Sequence, residues 1–391
     1  MKVDYNPFSE AIYDDPFPTY RALRDHSPVH YVEEFDCWFL SRFADVWALE
    51  QDQRNLTTKY GTTSTHLVIQ QTPTSPNLAG LDPPEHNRVR SFFNPAFKPG
   101  AVATLEPQIR GFARDAIAEL QKAGGGCGVE LGGKVSSRVV CTLIGLPLED
   151  ADRIQEWVNL YFDREPGQRG STKRGIQAAK ELAIYLFQTS KRMRSEGAPE
   201  GSVMQKLHQE ELNGEKLDDM GIAIQLNMLV IGGTETFPKV FSATLDRLAQ
   251  NPDQRAACVA DPGLAADAFY EALRIDMPTQ MLGRTIVNDF EFQGHTLRGG
   301  SRLLFLWGSA NRDEREFEEP DRYDVTRRAP RILSFGHGQH MCLGAHVAKL
   351  EGRILVEEVL SAFPEYRVDA ANTKRMRSEF FRAYTELPIR V

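Results

Sequence analysis

The sequence predicts a mainly α-helical protein with a small β region. Apolar residues recur at helical spacing over several long stretches, for example at Leu343, Val347 and Ile354. Short runs of β-branched and aromatic residues are confined to residues 29–40 and 285–305. The length of 391 residues by itself suggests two or three domains. However, no linker, repeat or low-complexity run divides the chain, and its composition is that of an ordinary globular protein.

Charge and cysteine content narrow the class of protein further. The net charge of −8 argues against nucleic acid as a partner. Five scattered cysteines, an odd number, are expected to be free thiols in a reducing compartment. The polar, proline-containing residues 1–20 resemble neither a signal peptide nor a membrane anchor. No apolar run approaches the roughly 18 residues needed to cross a bilayer, so we expect a cytoplasmic protein without a membrane anchor.

The first half of the chain reads as short strands followed by a series of helices. A helix starts near Asp15-Pro16, where proline is typical of a helix beginning. Residues 29–31 and 38–40 predict a hairpin. Residues 55–81 are rich in Thr, Ser, Gly and Pro and predict a long loop, which is often a functional feature. Further helices are predicted at 43–51, opening at 82–90, at 105–122, 135–146, 149–162, 177–196 and 218–250.

The loop predicted between two of these helices, residues 163–175, is basic. Its charged residues are Arg164, Arg169, Lys173 and Arg174. A charge run of this kind is usually a solvated surface. The alternative is that it attracts an anionic substrate.

The long helix predicted at 218–250 contains an unusual break. Gly232, Gly233 and Pro238 are all locally destabilising in a helix interior. Pro238 cannot donate to the carbonyl of Thr234, and the Thr236 hydroxyl can bond back to the Gly232 carbonyl. The result would be a widened groove that holds water. The alternative is a close helix crossing at the two glycines.

In the second half of the chain, Glu271 and Arg274 lie one helical turn apart, which alone is a weak signal. Strands of a small sheet are predicted at 285–287, 290–292, 296–297 and 302–305. Residues 311–330 predict a charged, irregular segment.

A glycine-rich turn then delivers a single cysteine, Cys342, to the beginning of an amphipathic helix. Gly336 and Gly338 permit a tight turn with positive φ, and Gly344 leaves room for a flat group beside the sulfur. The helix N-terminus favours a thiolate, which suits an axial ligand of haem iron. Two simpler interpretations exist. A lone cysteine is usually a small buried hydrophobic residue, and the nearby histidines could form a zinc site, although the paired cysteines typical of zinc are lacking.

The turn also carries a family resemblance. It resembles the haem-ligand signature of the cytochrome P450 superfamily at Phe335, Gly336, His337, Gly338, His340, Cys342, Leu343 and Gly344. The resemblance extends in order over nearly the whole chain. It implies the P450 fold as a single domain over 1–391, with haem b between the long central helix and the cysteine-bearing helix.

The resemblance implies a role for each matching residue. Cys342 would be the metal ligand, and Glu235 and Thr236 would be the catalytic acid–alcohol pair. His86 and Arg90, four apart on one helix face, could clamp a haem propionate, although a solvated charged face is the simpler interpretation. Arg322 would complete a buried ion network with Glu271 and Arg274. The cofactor-binding set implied is His86, Arg90, Arg284, His340, Gly233, Phe335 and Gly344.

The function implied is a haem-thiolate monooxygenase that inserts one oxygen atom of O2 into a compact hydrophobic substrate, by hydroxylation or O-dealkylation. Electrons would come from NAD(P)H through a ferredoxin reductase and an acidic ferredoxin, with Arg88, Lys349 and Arg353 as docking candidates. The alternatives are a peroxygenase that uses hydrogen peroxide and a non-enzymatic haem gas sensor. The pair Glu235-Thr236 argues against the peroxygenase, because the resemblance implies that family members of that kind replace the acid–alcohol pair. A gas sensor would have no reason for a groove with proton donors.

Overall fold

The computed structural model describes residues 3–71, 76–165, 169–212 and 214–391, and it is dominated by helices. Its α-helices are α1 (Glu10–Asp14), α2 (Phe17–His26), α3 (Phe43–Leu49), α4 (Ser64–Leu67), α5 (Glu85–Phe97), α6 (Pro99–Ala103), α7 (Glu106–Ala123), α8 (Gly128–Ile144), α9 (Ala151–Phe162), α10 (Lys173–Glu196), α11 (Val203–Gln209), α12 (Asp219–Gln250), α13 (Pro252–Ala260), α14 (Ala265–Ile275), α15 (Trp307–Ala310) and α16 (Ala345–Ala362).

The β structure is small and lies mostly at the edge of the helical body. Its strands are β1 (Val29–Val32), β2 (Cys37–Leu40), β3 (Leu56–Thr57), β4 (Gly125–Cys127), β5 (Glu211–Leu212), β6 (Glu215–Lys216), β7 (Met281–Ile286), β8 (Phe290–Phe292), β9 (His295–Leu297), β10 (Arg302–Leu306), β11 (Arg367–Val368), β12 (Lys374–Arg375), β13 (Tyr384–Glu386) and β14 (Pro388–Arg390). The largest sheet has the order β1-β2-β10-β7-β3, in which β10 is parallel to β2 and antiparallel to β7.

Most predicted elements are confirmed, and the departures have local causes. The predicted hairpin is β1 and β2, joined through Asp36 in the left-handed conformation (φ 49°). The helix predicted at 135–146 begins seven residues earlier, as α8. The glycine run before it contains strand β4, because Gly125 (φ +142°) lies directly against the Ile389 carbonyl of β14. A side chain at position 125 would block this pairing.

Two predicted loops also contain regular structure. The segment 55–81 holds β3, α4 and a 3-10 helix, Leu78–Gly80, while its residues 72–75 lie outside the described ranges. Part of the predicted basic loop 163–175 is helical, because α10 begins at Lys173 with the Thr172 hydroxyl accepting from Gly175 N at 2.9 Å.

The long helix α12 lies at the centre of the fold. Asp218 caps it as predicted, accepting from Gly221 N at 2.6 Å. Helices α8, α10, α14 and α16 pack against it. Helix α8 approaches closely because Gly132 lies against Pro238, where a Cβ would be 2.9 Å from the proline Cα.

The cysteine-bearing helix α16 is held between α14 and α7. Gly352 permits this approach, because a Cβ there would be only 2.4 Å from the Phe269 ring. Residues 311–337, all of which are described, contain neither helix nor strand, as the sequence predicts for 311–330. The geometry of this segment therefore depends on side-chain contacts.

Buried apolar side chains form one large cluster that draws on residues from Val29 to Ile389. A smaller cluster joins the N-terminal segment to the largest sheet. Among the described residues, none of the helices combines the length and apolar character that a membrane crossing requires.

Candidate active site

The turn before Cys342 has the conformation that its glycines predict. Gly336 (φ +66°) and Gly338 (φ +72°) adopt the left-handed conformation. The turn closes where Cys342 N donates to the Phe335 carbonyl at 2.7 Å. Gly344 is the N-cap of α16, and a Cβ there would stand 4.0 Å from Cys342 Sγ. The sulfur is thus presented just before a helix, with no side chain at position 344 to cover it.

The Cys342 side chain is open to solvent on one side. Burial among protein atoms nevertheless raises the pKa of its thiol, while a hydrogen bond from the Gly344 N–H and the charge of Arg90 lower that pKa. Burial of the sulfur therefore works against the thiolate that the helix terminus favours. A metal cation would supply the missing positive charge and deprotonate the thiol.

Arg90 ties α5 to this turn. Its guanidinium donates to the Gln339 carbonyl at 3.2 Å and to the Met341 carbonyl at 2.7 Å. Burial lowers the pKa of Arg90, and Cys342 opposes that effect. Arg90 therefore lies beside the sulfur and fixes the backbone on both sides of His340.

Three other predicted residues converge next to the turn. The ring centroids of His86 and His340 are 4.2 Å apart. Burial lowers the pKa of His86, and burial together with Arg284 and His86 lowers the pKa of His340 to about 3. The Arg284 guanidinium is buried over the Phe305 ring and donates to the carbonyl of Gly283 at 2.8 Å.

This cluster lacks negative partners. Within the described ranges, none of His86, Arg90, Arg284 and His340 forms an ion pair within 4 Å, and His86 Nε2 is buried without a hydrogen-bond partner. A buried guanidinium without a counter-charge and a buried polar atom without a partner are both costly, so this set indicates an anionic group that the protein does not supply. A flat cofactor that carries carboxylates fits this set of residues.

The two glycines of the central helix have different environments. A Cβ on Gly233 would lie 2.4 Å from Val140 Cγ2 of α8, whereas a Cβ on Gly232 would have open space around it. The alternative of a close helix crossing is therefore correct for Gly233. Gly232 is the position where a flat group has room to approach the backbone, and the cofactor contact expected of Gly233 stays a prediction.

The helix break itself forms partly as predicted. The Thr236 hydroxyl donates to the Gly232 carbonyl at 3.0 Å, and both residues face the open side of α12. The Thr234 carbonyl is not left free, however, because Gln155 of α9 donates to it at 3.4 Å. The polar groups of the break that face open space are thus the Gly232 carbonyl and the Thr236 hydroxyl.

Glu235 is buried on another side of the helix. Its carboxylate lies 2.5 Å from Lys239 Nζ, one turn later on α12, and both side chains are almost fully buried. Burial raises the pKa of Glu235, and Lys239 and Arg164 oppose that shift. Glu235 is therefore a buried acid adjacent to the open face that carries Thr236.

Comparison with known proteins agrees with this geometry. The family model described as Cytochrome P450 matches residues 264–381. Putative cytochrome P450 123 of Mycobacterium tuberculosis is 33% identical over 396 residues, covering 99% of this chain and 96% of the relative. The chain belongs to the cytochrome P450 family. Members of this P450 family are monooxygenases that carry haem b, bound through an axial cysteine thiolate.

Two further P450 relatives extend the comparison. The Vitamin D(3) 25-hydroxylase of Pseudonocardia autotrophica is 32% identical over 366 residues, covering 92% of this chain and 89% of the relative. The solved structure of the polyketide synthase cytochrome P450 PksS from Bacillus subtilis 168 has a TM-score of 0.87 and 27% identity, and covers 99% of each chain. The mainly helical P450 fold with a small β region is therefore confirmed.

The ion network of this P450 corrects one prediction. Arg274 forms a buried pair with Glu271 at 2.6 Å, as expected. The third member is Arg327, whose Nε lies 2.9 Å from Glu271 Oε1. The prediction that Arg322 has this role is wrong, because its side chain is 59% exposed and pairs with Glu319 and Asp324. The irregular segment turns so that Arg322 contributes only its carbonyl, which accepts from Arg327 Nη2 at 3.0 Å.

Sequence reasoning also missed Lys239 and Glu50. The spacing of Lys239 from Glu235, i to i+4, is a signal that could have identified the pair. For Glu50 the sequence offers no such signal, because the side-chain partner that holds it, Trp307, is 257 residues away.

Proposed function

We propose that this chain is a haem-thiolate monooxygenase in which Cys342 is the iron ligand and the whole chain, 1–391, forms one catalytic domain. The observation that carries the proposal is the juxtaposition of Cys342 with buried nitrogen donors that have no acidic partner. Bound haem supplies the oxygen chemistry, because thiolate ligation favours O–O cleavage and insertion of one oxygen atom into a substrate C–H bond.

The protein's own residues bind and orient this group in the proposal. Arg284 and His86 donate to its carboxylates, and His340 lines the same region. Arg90 holds the turn that presents the sulfur. Phe335 closes the turn through its carbonyl, and Gly344 and Gly232 leave the two sides clear for a flat ring. The support is the set of contacts around Cys342 and the unpartnered His86 Nε2.

Proton delivery is assigned to the open face of α12. The Thr236 hydroxyl, held by the Gly232 carbonyl, orients water at that face, and Glu235 supplies the proton as a general acid. A raised carboxyl pKa suits this role, because an acid that retains its proton closer to neutral pH is a better donor. Once Glu235 has given up its proton, Lys239 pairs with the Glu235 carboxylate.

The substrate proposed is a compact hydrophobic molecule, and electrons reach the haem from NAD(P)H through a reductase and a ferredoxin. The similarity to the Vitamin D(3) 25-hydroxylase supports a hydrophobic substrate class. Among the docking candidates, Arg353 already pairs with Glu106 and Glu357, and Lys349 lies over the Tyr270 ring. The net attraction for an acidic partner is therefore smaller than a count of basic residues would indicate. Absorption shifts on substrate binding would identify the substrate class.

The iron ligand is tested by Cys342→Ala. We expect the variant to lose the absorption band that carbon monoxide gives with thiolate-ligated ferrous haem, because alanine has no donor atom. Cys258→Ala, which removes a buried cysteine on α13, should keep the band. A thiolate-type band in the Cys342 variant would refute the assignment.

A further inference from the structure

Glu50 is a buried carboxyl that supports the turn before Cys342. It follows α3, is 5% exposed, and accepts from Trp307 Nε1 at 2.7 Å. Its second oxygen has no hydrogen-bond partner within the described part of the chain. Gly336 lies over this pair, since a Cβ there would be 3.5 Å from the Trp307 ring and 3.8 Å from Glu50 Oε1. Glu50 therefore touches the turn that presents the proposed iron ligand, without touching the cysteine.

Glu50 also shares a cavity with the proposed carboxylate-binding residues. The cavity has a volume of about 220 Å³, and Arg284 and His340 are among its lining residues. Arg284 lacks an acidic partner within 4 Å, but the charge of Glu50 is close enough to raise its pKa against the effect of burial. A charge on Glu50 therefore acts on the same guanidinium that is proposed to bind the haem.

Burial raises the pKa of Glu50 to about 7, against the opposing effects of Arg284, Trp307 and the His337 backbone N–H. The other charged and titratable groups around Glu50 come from four stretches of the chain. They are Asp52 and Lys59 after α3, Asp82 before α5, Arg284 on β7, and His337 and His340 in the turn.

His337, His340 and Asp82 do not titrate with Glu50 near neutral pH. Burial lowers the pKa of both histidines, so they are neutral there. Burial raises the pKa of Asp82, but hydrogen bonds from Thr57 and Thr58 outweigh it, so Asp82 is ionised.

We propose that Glu50 is a positioning residue that couples electron uptake at the haem to uptake of one proton from solvent. The inference rests on the proposed function, in which Arg284 and Cys342 hold the haem. With haem held by these residues, an electron taken up by the iron would add one negative charge near Arg284 and the turn. The carboxylate of Glu50 binds one proton in response, and the local charge is restored.

The test is the midpoint potential of the haem, measured by redox titration from pH 6 to pH 8. In the wild type we expect the ratio of ferrous to ferric haem at a fixed applied potential to fall with rising pH, by up to about tenfold per pH unit for one proton per electron. In Glu50→Gln, whose amide oxygen still accepts from Trp307 but cannot titrate, the ratio should not depend on pH. A flat wild-type profile, or an unchanged slope in the variant, would overturn the proposal.

Two further variants make the result specific. Trp307→Phe removes a hydrogen bond that lowers the pKa of Glu50, so the sloping region should move to higher pH. Glu351→Gln removes a second buried carboxyl, whose pKa burial also raises but which lies on α16 outside the cavity around Glu50, and should leave the profile unchanged. An unmoved profile in Trp307→Phe, or loss of the slope in Glu351→Gln, would count against Glu50.

The carbon monoxide band separates this inference from the proposed function. A thiolate-type band in the wild type together with a flat profile refutes Glu50 alone. Absence of that band from the wild type refutes the iron ligand, and with it both proposals. If Glu50→Gln does not retain haem, the profiles of the wild type and Trp307→Phe decide the matter.

Discussion

At the scale of single residues, the open face of α12 depends on one hydroxyl. Thr236 is the side chain that donates to the Gly232 carbonyl and remains partly exposed in the middle of a long buried helix. Other threonines of α12 make the same backbone contact but are buried, such as Thr244, which donates to the Val240 carbonyl at 2.9 Å. The exposure of Thr236, more than its hydrogen bond, distinguishes it.

We therefore expect Thr236→Ala to separate electron consumption from product formation. The variant should bind haem and substrate, but its rate of product formation should fall by about 10²-fold, the lower end of the range for general acid catalysis. Electrons should be diverted to hydrogen peroxide. The measurement is product and peroxide formed per NAD(P)H consumed, with Thr244→Ala as a control that retains normal coupling. Normal coupling in the Thr236 variant would contradict the role.

At the scale of elements, the irregular segment 311–337 is held by guanidinium groups instead of backbone ladders. Arg274 of α14 donates to the Asn311 and Pro320 carbonyls. Arg327 donates to the carbonyls of Glu318, Glu319 and Arg322. Both arginines converge on Glu271, so one buried carboxylate fixes the path of the chain toward the cysteine turn.

Arg327→Ala should therefore destabilise the protein, because it leaves the buried Glu271 with one partner fewer and several carbonyls without donors. We expect the free energy of unfolding to fall by about 3–5 kcal/mol, as for other broken buried pairs. Arg322→Ala, which removes a 59% exposed side chain, should cost less than about 1 kcal/mol. Urea unfolding of both variants measures these losses. Equal losses in free energy of unfolding would indicate that Arg322 belongs to the buried ion network after all.

At the scale of the whole molecule, Asp276 joins four distant parts of the chain. This buried carboxylate follows α14 and lies 2.5 Å from Arg247 of α12. Arg312 of the irregular segment and Arg382 near the C-terminus are 3.5 and 3.6 Å away. Burial raises the pKa of Asp276, but the three guanidinium groups outweigh it and hold the pKa well below its usual range.

Asp276→Asn should lower the free energy of unfolding at pH 7 by about 3–5 kcal/mol, since three arginines lose their counter-charge. Because the folded pKa is depressed, this contribution is complete above the ordinary aspartate pKa of about 4 and is lost as the pH falls toward the folded value. The difference between wild type and variant should thus be complete at pH 6 and narrow only below about pH 4, so that it is smaller at pH 3 in urea titrations. Glu365→Gln, which changes a 90% exposed side chain that lies 3.6 Å from Arg255, should have little effect at either pH. A pH-independent difference would contradict the linkage.

The sequence by itself determined the features that depend on neighbours along the chain. The Asp218 cap, the Thr236 contact to Gly232 and the pairing of Glu271 with Arg274 all span four residues or fewer, and the glycine turn before Cys342 closes over seven. Local backbone geometry sets these contacts, so spacing alone predicts them.

Only the tertiary structure decided which of two similar residues faces which partner. The approach of α8 assigns Gly233 to Val140 and leaves Gly232 open. The path of an irregular segment selects Arg327 over Arg322. The pairing of Glu50 with Trp307 depends on how α3 meets α15. These contacts follow from the rotation of packed helices and from turns without periodicity, which no local pattern in the sequence specifies.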